Sequence, residues 1–78
     1  MRIVVLGAGH VGRAIVEALY QEHEITVVDT DADRLTALAD RYDVRVVEGN
    51  GTTKRVIREA GIQECSLFIA STSRERAS

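Results

Sequence analysis

Four short apolar runs recur along the chain: Ile3 to Leu6, Ile25 to Val28, Val44 to Val47 and Leu67 to Ala70, all rich in β-branched residues. Their hydrophobicity is mostly continuous instead of strictly alternating. That pattern predicts strands covered on both faces, as in a parallel sheet flanked by helices. Between the first two runs, Val11, Ala14, Ile15, Ala18 and Leu19 follow the spacing that places one apolar stripe on a helix, with Arg13, Glu17 and Gln21 on other faces. A second helical pattern uses Leu35, Leu38, Ala39 and Tyr42, with Asp31 or Thr30 able to cap its start by accepting an otherwise orphan backbone N–H. A shorter third helix is expected to start at Thr52 or Thr53 and run to Ala60, with Gly61 where a left-handed residue is wanted.

Alternating strands and helices are the pattern of βαβ units, whose crossovers are right-handed. The first three strands then take the order 3-2-1, and the fourth lies on the other side of strand 1. This is the arrangement of a Rossmann-like α/β fold, the dinucleotide-binding half of a doubly wound sheet. Residues 1–78 are expected to form a single lobe. Only the polar stretch Ser71 to Ser78 follows the fourth run. The fourth strand should therefore keep an open edge and an uncovered apolar flank, a feature folded proteins usually cover. A truncated lobe or an obligate dimer is the expectation.

Composition sharpens this picture in two ways. A core built from 78 residues is thin. The only cysteine is Cys65, and no Cys/His run has zinc-ligand spacing, so neither disulfides nor a structural metal can supplement that core. Self-association is the remaining remedy. Ten basic against twelve acidic residues give a net charge of -2, without a basic block or aromatic stripe, which argues against a nucleic-acid partner. The short apolar runs offer neither a membrane span nor a signal peptide, and the chain reads as cytoplasmic with no direct membrane insertion.

The candidate chemistry begins in Gly7-Ala8-Gly9-His10-Val11-Gly12, a GxGxxG that follows one predicted strand and opens a predicted helix. Gly7 allows the sharp turn out of the strand, Gly9 keeps a side chain off an approaching pyrophosphate, and Gly12 lets the helix pack close. Backbone N–H groups of Gly9, His10 and Val11 would face the phosphates at the positive end of the helix dipole. Asp29 ends the second strand, where a carboxylate accepts hydrogen bonds from a ribose diol. The same charge repels a 2'-phosphate, so NAD or an adenine nucleotide is expected over NADP. Glu48-Gly49-Asn50-Gly51 leaves the third strand at the same edge of the sheet. Asn50 there is either a contact to the adenine edge or part of an ordinary Gly/Asn turn. Ser71 and Thr72 leave the fourth strand at that edge too, either toward the distal ribose or phosphates or as a frayed polar end. His10 and His23 lack a neighbouring acid or lysine placed to orient a general base, and Cys65 reads as a packing residue. No catalytic residue is assigned. An NAD-dependent dehydrogenase half remains the competing class, although hydride transfer needs a substrate site that nothing here supplies.

Three stretches together narrow the reading: MRIVVLGAGHVGRAIVEAL, ITVVDTDADRL and VVEGNGTTKRVIREAGIQECSLFIAST. They resemble the N-terminal lobe of the TrkA-N or RCK (regulator of potassium conductance) family over nearly the whole chain. The third stretch discriminates, with its GNG loop, Thr-capped short helix, REAGI and strand ending in A-x-T. The resemblance implies a non-catalytic sensor that binds NAD+/NADH or ATP/ADP and assembles as a homodimer or higher oligomer. It also implies a membrane potassium transporter or channel subunit as partner, with the lobe peripheral to the inner face of the cell membrane. By position, Gly7, Gly9, His10, Val11 and Gly12 would hold phosphates, Asp29 the adenosine ribose, Asn50 would lie near adenine, and Ser71 and Thr72 near the second ribose or terminal phosphates. Members usually carry Asp where this chain has Asn50, which removes a charge from the adenine end. The segment after A-x-T is mixed in charge here, where members tend to be acidic.

Overall fold

The computed structural model describes residues 1–71. Strand β1 (Arg2–Leu6) leads into helix α1 (His10–Leu19), β2 (Glu24–Asp29) into α2 (Ala32–Arg41), and β3 (Arg45–Glu48) into α3 (Lys54–Ala60). A 3-10 turn at Ile62–Glu64 then precedes β4 (Leu67–Ala70). The strands form one parallel sheet in the order β3-β2-β1-β4. Leu6 lies level with Val28 on one side and Ala70 on the other, and Asp29 lies level with Glu48. This register brings the carboxyl ends of all four strands, and the loops that leave them, to a common edge.

The apolar runs of β1 and β2 are continuous because both faces of the sheet are covered there. Ile3, Val5, Ile25 and Val27 point to the side where Val16 of α1 and Leu35 and Leu38 of α2 pack. Val4, Val28 and Val47 point to the other side, against Val56 and Ala60 of α3. Tyr20 and Tyr42 meet edge to face with centroids 5.1 Å apart, joining the ends of α1 and α2. Such a pair contributes about 0.5–1.5 kcal/mol beyond its buried area.

The observed face of α1 corrects the periodicity argument. Gly12 and Val16 are buried and Ile15 and Leu19 half-buried, whereas Val11, Ala14 and Ala18 are exposed. The cause is Gly12, since a β-carbon there would overlap the Gly7 carbonyl oxygen. The helix rotates to put its hydrogen-only position against the loop, and the stripe containing Val16 follows. In α2, Leu35 and Leu38 are buried and Tyr42 half-buried, but Ala39 is exposed. The other end signals behave as expected: the Asp31 side chain accepts from the N–H groups of Asp33 and Arg34. Thr53 caps α3, and Gly61 ends it in the left-handed conformation with φ 72° and ψ 31°. At the sheet's far side, Leu67 and Phe68 of β4 are 43% and 42% exposed. No helix among the described residues is long and apolar enough to cross a membrane.

Candidate nucleotide-binding cleft

The loops at the carboxyl edge enclose a cleft of about 370 Å³. Gly7 and Gly9 supply one wall, Asp29, Thr30 and Arg34 a second, Gly49, Asn50 and Gly51 a third, and Ser71 closes it from β4. Gly7 adopts φ 111°, outside the range of most side chains, and its N–H donates to the Val28 carbonyl at 2.7 Å. The turn out of β1 is thus held against β2. Gly9 also lines the cleft, and with no side chain it leaves its backbone free to approach a ligand.

The start of α1 differs from the starts of α2 and α3. Gly9 occupies its N-cap position without a side-chain hydrogen bond. The first amides of any helix lack intrahelical acceptors, and the helix dipole adds partial positive charge at that end. In α2 and α3, Asp31 and Thr53 satisfy part of this demand. The amides of α1 are left for an acceptor from outside the helix, and a phosphate meets both the hydrogen-bonding and the electrostatic requirement. His10 and Val11 open this turn as exposed residues, and Gly12 packs behind it.

Asp29 sits between two loops. Its Oδ2 accepts the Ala8 N–H at 2.7 Å, and its Oδ1 accepts the Asp31 N–H at 2.8 Å. Capping of α2 itself falls to Asp31, in keeping with a separate role for Asp29. A carboxylate has about four acceptor positions, so each Asp29 oxygen retains one for a ribose hydroxyl. Asn50 is more occupied. Its Oδ1 accepts both the N–H and the hydroxyl of Thr52, and its backbone carbonyl accepts from Thr53. The ordinary-turn reading therefore describes much of what Asn50 does here, leaving only its amide NH2 for a base. Gly49, at φ 151°, turns the chain tightly over Val56.

Ser71 is buried at the mouth of the cleft, and its N–H donates to the Leu6 carbonyl at 2.6 Å. Thr72 lies outside the described residues. The sequence reading missed Arg34, an exposed cation on α2 whose Nε is 3.6 Å from Asp31 Oδ2. Its signal is positional: it falls in the first turn of the helix that follows the ribose carboxylate, three residues after the cap.

Other candidate groups lie elsewhere. His23 borders a larger cleft of about 540 Å³ at the opposite, amino-terminal edge of the sheet, with Arg2, Glu24, Arg45 and Cys65. Its Nδ1 is buried without a hydrogen-bond partner among the described residues. Its position argues against that cleft despite its size, because ligands of open parallel sheets enter beyond the carboxyl ends of the strands. The Cys65 thiol donates to the Ile62 carbonyl and packs beside the α3 cluster, as a structural residue would. No group of three or more potential metal ligands occurs among the described residues.

The strand order, the uncapped glycine loop and the carboxylate one strand away define a Rossmann-like lobe. The TrkA-N domain family model matches residues 3–78, and the chain belongs to that family. It is 49% identical over 74 residues to the Trk system potassium uptake protein TrkA of Halomonas elongata and 46% identical over 74 residues to that of Vibrio alginolyticus. Each of these alignments covers 94% of this chain and 16% of the relative. The TrkA of Streptomyces coelicolor is 39% identical over 74 residues, covering 94% of this chain and 33% of that protein. These relatives bear the names of transport-system proteins and not of enzymes.

Proposed function

We propose that this chain is the nucleotide-binding lobe of a regulator of potassium uptake, holding NAD+/NADH or ATP/ADP without chemical conversion. The observation that carries the reading is the uncapped α1 N-terminus facing the same cleft as the Asp29 carboxylate. An anion acceptor and a diol acceptor on adjacent strands suit a phosphorylated nucleoside. Gly7, Gly9, His10, Val11 and Gly12 bind or shape the phosphate end, Asp29 takes the ribose, and Ser71 lies toward the distal group, the role that Thr72 shares by its place in the sequence. Asn50 flanks the base.

The potassium system enters through the names of the relatives, of which this chain matches only a part. In this reading residues 1–78 are one lobe of a cytoplasmic homodimer or higher oligomer, docked on a membrane potassium transporter or channel subunit. Regulation then requires that the nucleotide bind two arrangements of the lobes with different affinity, since equal affinity shifts no equilibrium.

Thermal unfolding with NADH, NADPH, ATP and ADP tests the binding step. A ligand at about 100 times its Kd stabilises the folded chain by about 2.7 kcal/mol, a clear upward shift in Tm. No shift with any of the four at millimolar concentration overturns the reading. A larger shift with NADPH than with NADH contradicts the role given to Asp29.

A further inference from the structure

Arg34 is the only side-chain cation on the wall of the carboxyl-edge cleft among the described residues. Its position follows from the way α2 begins. Asp31 Oδ1 accepts the N–H groups of Asp33 and Arg34 at 3.0 and 3.3 Å, while Asp31 Oδ2 lies 3.6 Å from the Arg34 Nε. One carboxylate thus fixes the first turn and restrains the guanidinium of the same turn, while the Arg34 side chain stays about half exposed on the cleft wall. Across the cleft stand Gly49, Asn50 and Gly51. Two of these three have no side chain, so backbone forms much of that wall.

A base bound beyond the Asp29 ribose must sit among these groups. Asn50 cannot supply the usual acceptor for an exocyclic amine, because its Oδ1 already takes both donors of Thr52. A planar guanidinium, by contrast, stacks on an aromatic face and is more weakly hydrated than an ammonium group. We infer that Arg34 is the base-binding residue of the cleft, its guanidinium plane stacked on the adenine ring, with the Gly49–Gly51 backbone on the opposite side.

This assignment rests on the nucleotide-binding reading and deepens it. A cation beside a ribose can also take a 2'-phosphate, but here the Asp29 carboxylate occupies the ribose end and opposes a second negative charge. Arg34 is therefore a contact to the base, shared by NADH, ADP and ATP alike.

Calorimetric titration of the unsubstituted, Arg34→Ala and Arg34→Lys chains with ADP, NADH and NADPH separates the outcomes. Arg34→Ala should weaken ADP and NADH by similar factors, about 5- to 30-fold, with the melting temperature unchanged because the Arg34 and Asp31 side chains are about half exposed. Arg34→Lys keeps the charge but not the plane and should recover only part of the loss. In the ADP complex, nuclear Overhauser contacts should join adenine H2 or H8 to the Arg34 side chain. ADP affinity unchanged by Arg34→Ala, full recovery by lysine, or an Arg34→Ala effect confined to NADPH each overturns the stacking assignment while leaving nucleotide binding intact. Failure of the unsubstituted chain to bind any of the three removes both readings together.

Discussion

Asp29→Ala should destabilise the chain as well as weaken its ligand, and the two effects can be measured separately. The substitution removes acceptors for the N–H groups of Ala8 at 2.7 Å and Asp31 at 2.8 Å. Ala8 is only 7% exposed, so its amide would be left without a partner, a penalty of about 1–3 kcal/mol. The Asp31 N–H is exposed and can be rehydrated, which adds only about 0.5 kcal/mol. The total, about 2–3 kcal/mol, is a large share of the ~3–5 kcal/mol that a core of this size supplies. With a urea slope of about 1 kcal/mol per molar, the unfolding midpoint followed by far-ultraviolet circular dichroism should fall by about 2 M. Asp29→Asn keeps one acceptor and should lose roughly half as much. Ligand affinity belongs on that milder variant, where ADP or NADH binding should weaken about tenfold or more, given ~1.5–3 kcal/mol for a hydrogen bond to a charged group. A midpoint unchanged by Asp29→Ala would refute the idea that this carboxylate ties the glycine loop to the entrance of α2.

Other substitutions probe the supports of the cleft. Gly12→Ala drives a β-carbon into the Gly7 carbonyl oxygen and should lower stability by about 2 kcal/mol or more, read as a lower denaturation midpoint. Gly49→Ala meets Val56 Cγ2 at 2.5 Å in a backbone region that side chains avoid, and about 1–3 kcal/mol should be lost in the same assay. Thr53→Ala removes the side-chain cap of α3 and should cost about 1 kcal/mol in urea denaturation, whereas Thr52→Ala should cost less, since Thr52 only joins the exposed Asn50 turn.

The four strands were legible to within a residue or so because each is a short, mostly continuous apolar run, including β4, which stays largely exposed. Their order followed from right-handed crossovers together with the doubly wound pattern, which places the fourth strand on the other side of the first. The face of α1 was misread because glycine counts for nothing in a hydrophobic stripe, yet the contact between Gly12 and Gly7 decides how that helix is rotated. Val16, with no exposed surface, was overlooked for Val11, which is 61% exposed. The 3-10 turn at Ile62–Glu64 has no periodicity in three residues to announce it.

Within the cleft, Gly7, Gly9 and Asp29 could be placed from spacing because strand ends fix where loops begin. Side-chain hydrogen bonding could not. That Asn50 turns its oxygen onto Thr52, and that Arg34 reaches the cleft from an exposed helical turn, depend on local geometry that composition does not record.

The most direct test of nucleotide binding at the carboxyl edge is a two-dimensional amide NMR titration of the chain with ADP and with NADH. The expected result is saturable shifts concentrated at Gly7, Gly9, His10, Val11 and Gly12, and at Asp29 and Ser71. Shifts gathered instead around His23, Arg45 and Cys65 at the amino-terminal edge, or none with either ligand, would contradict it.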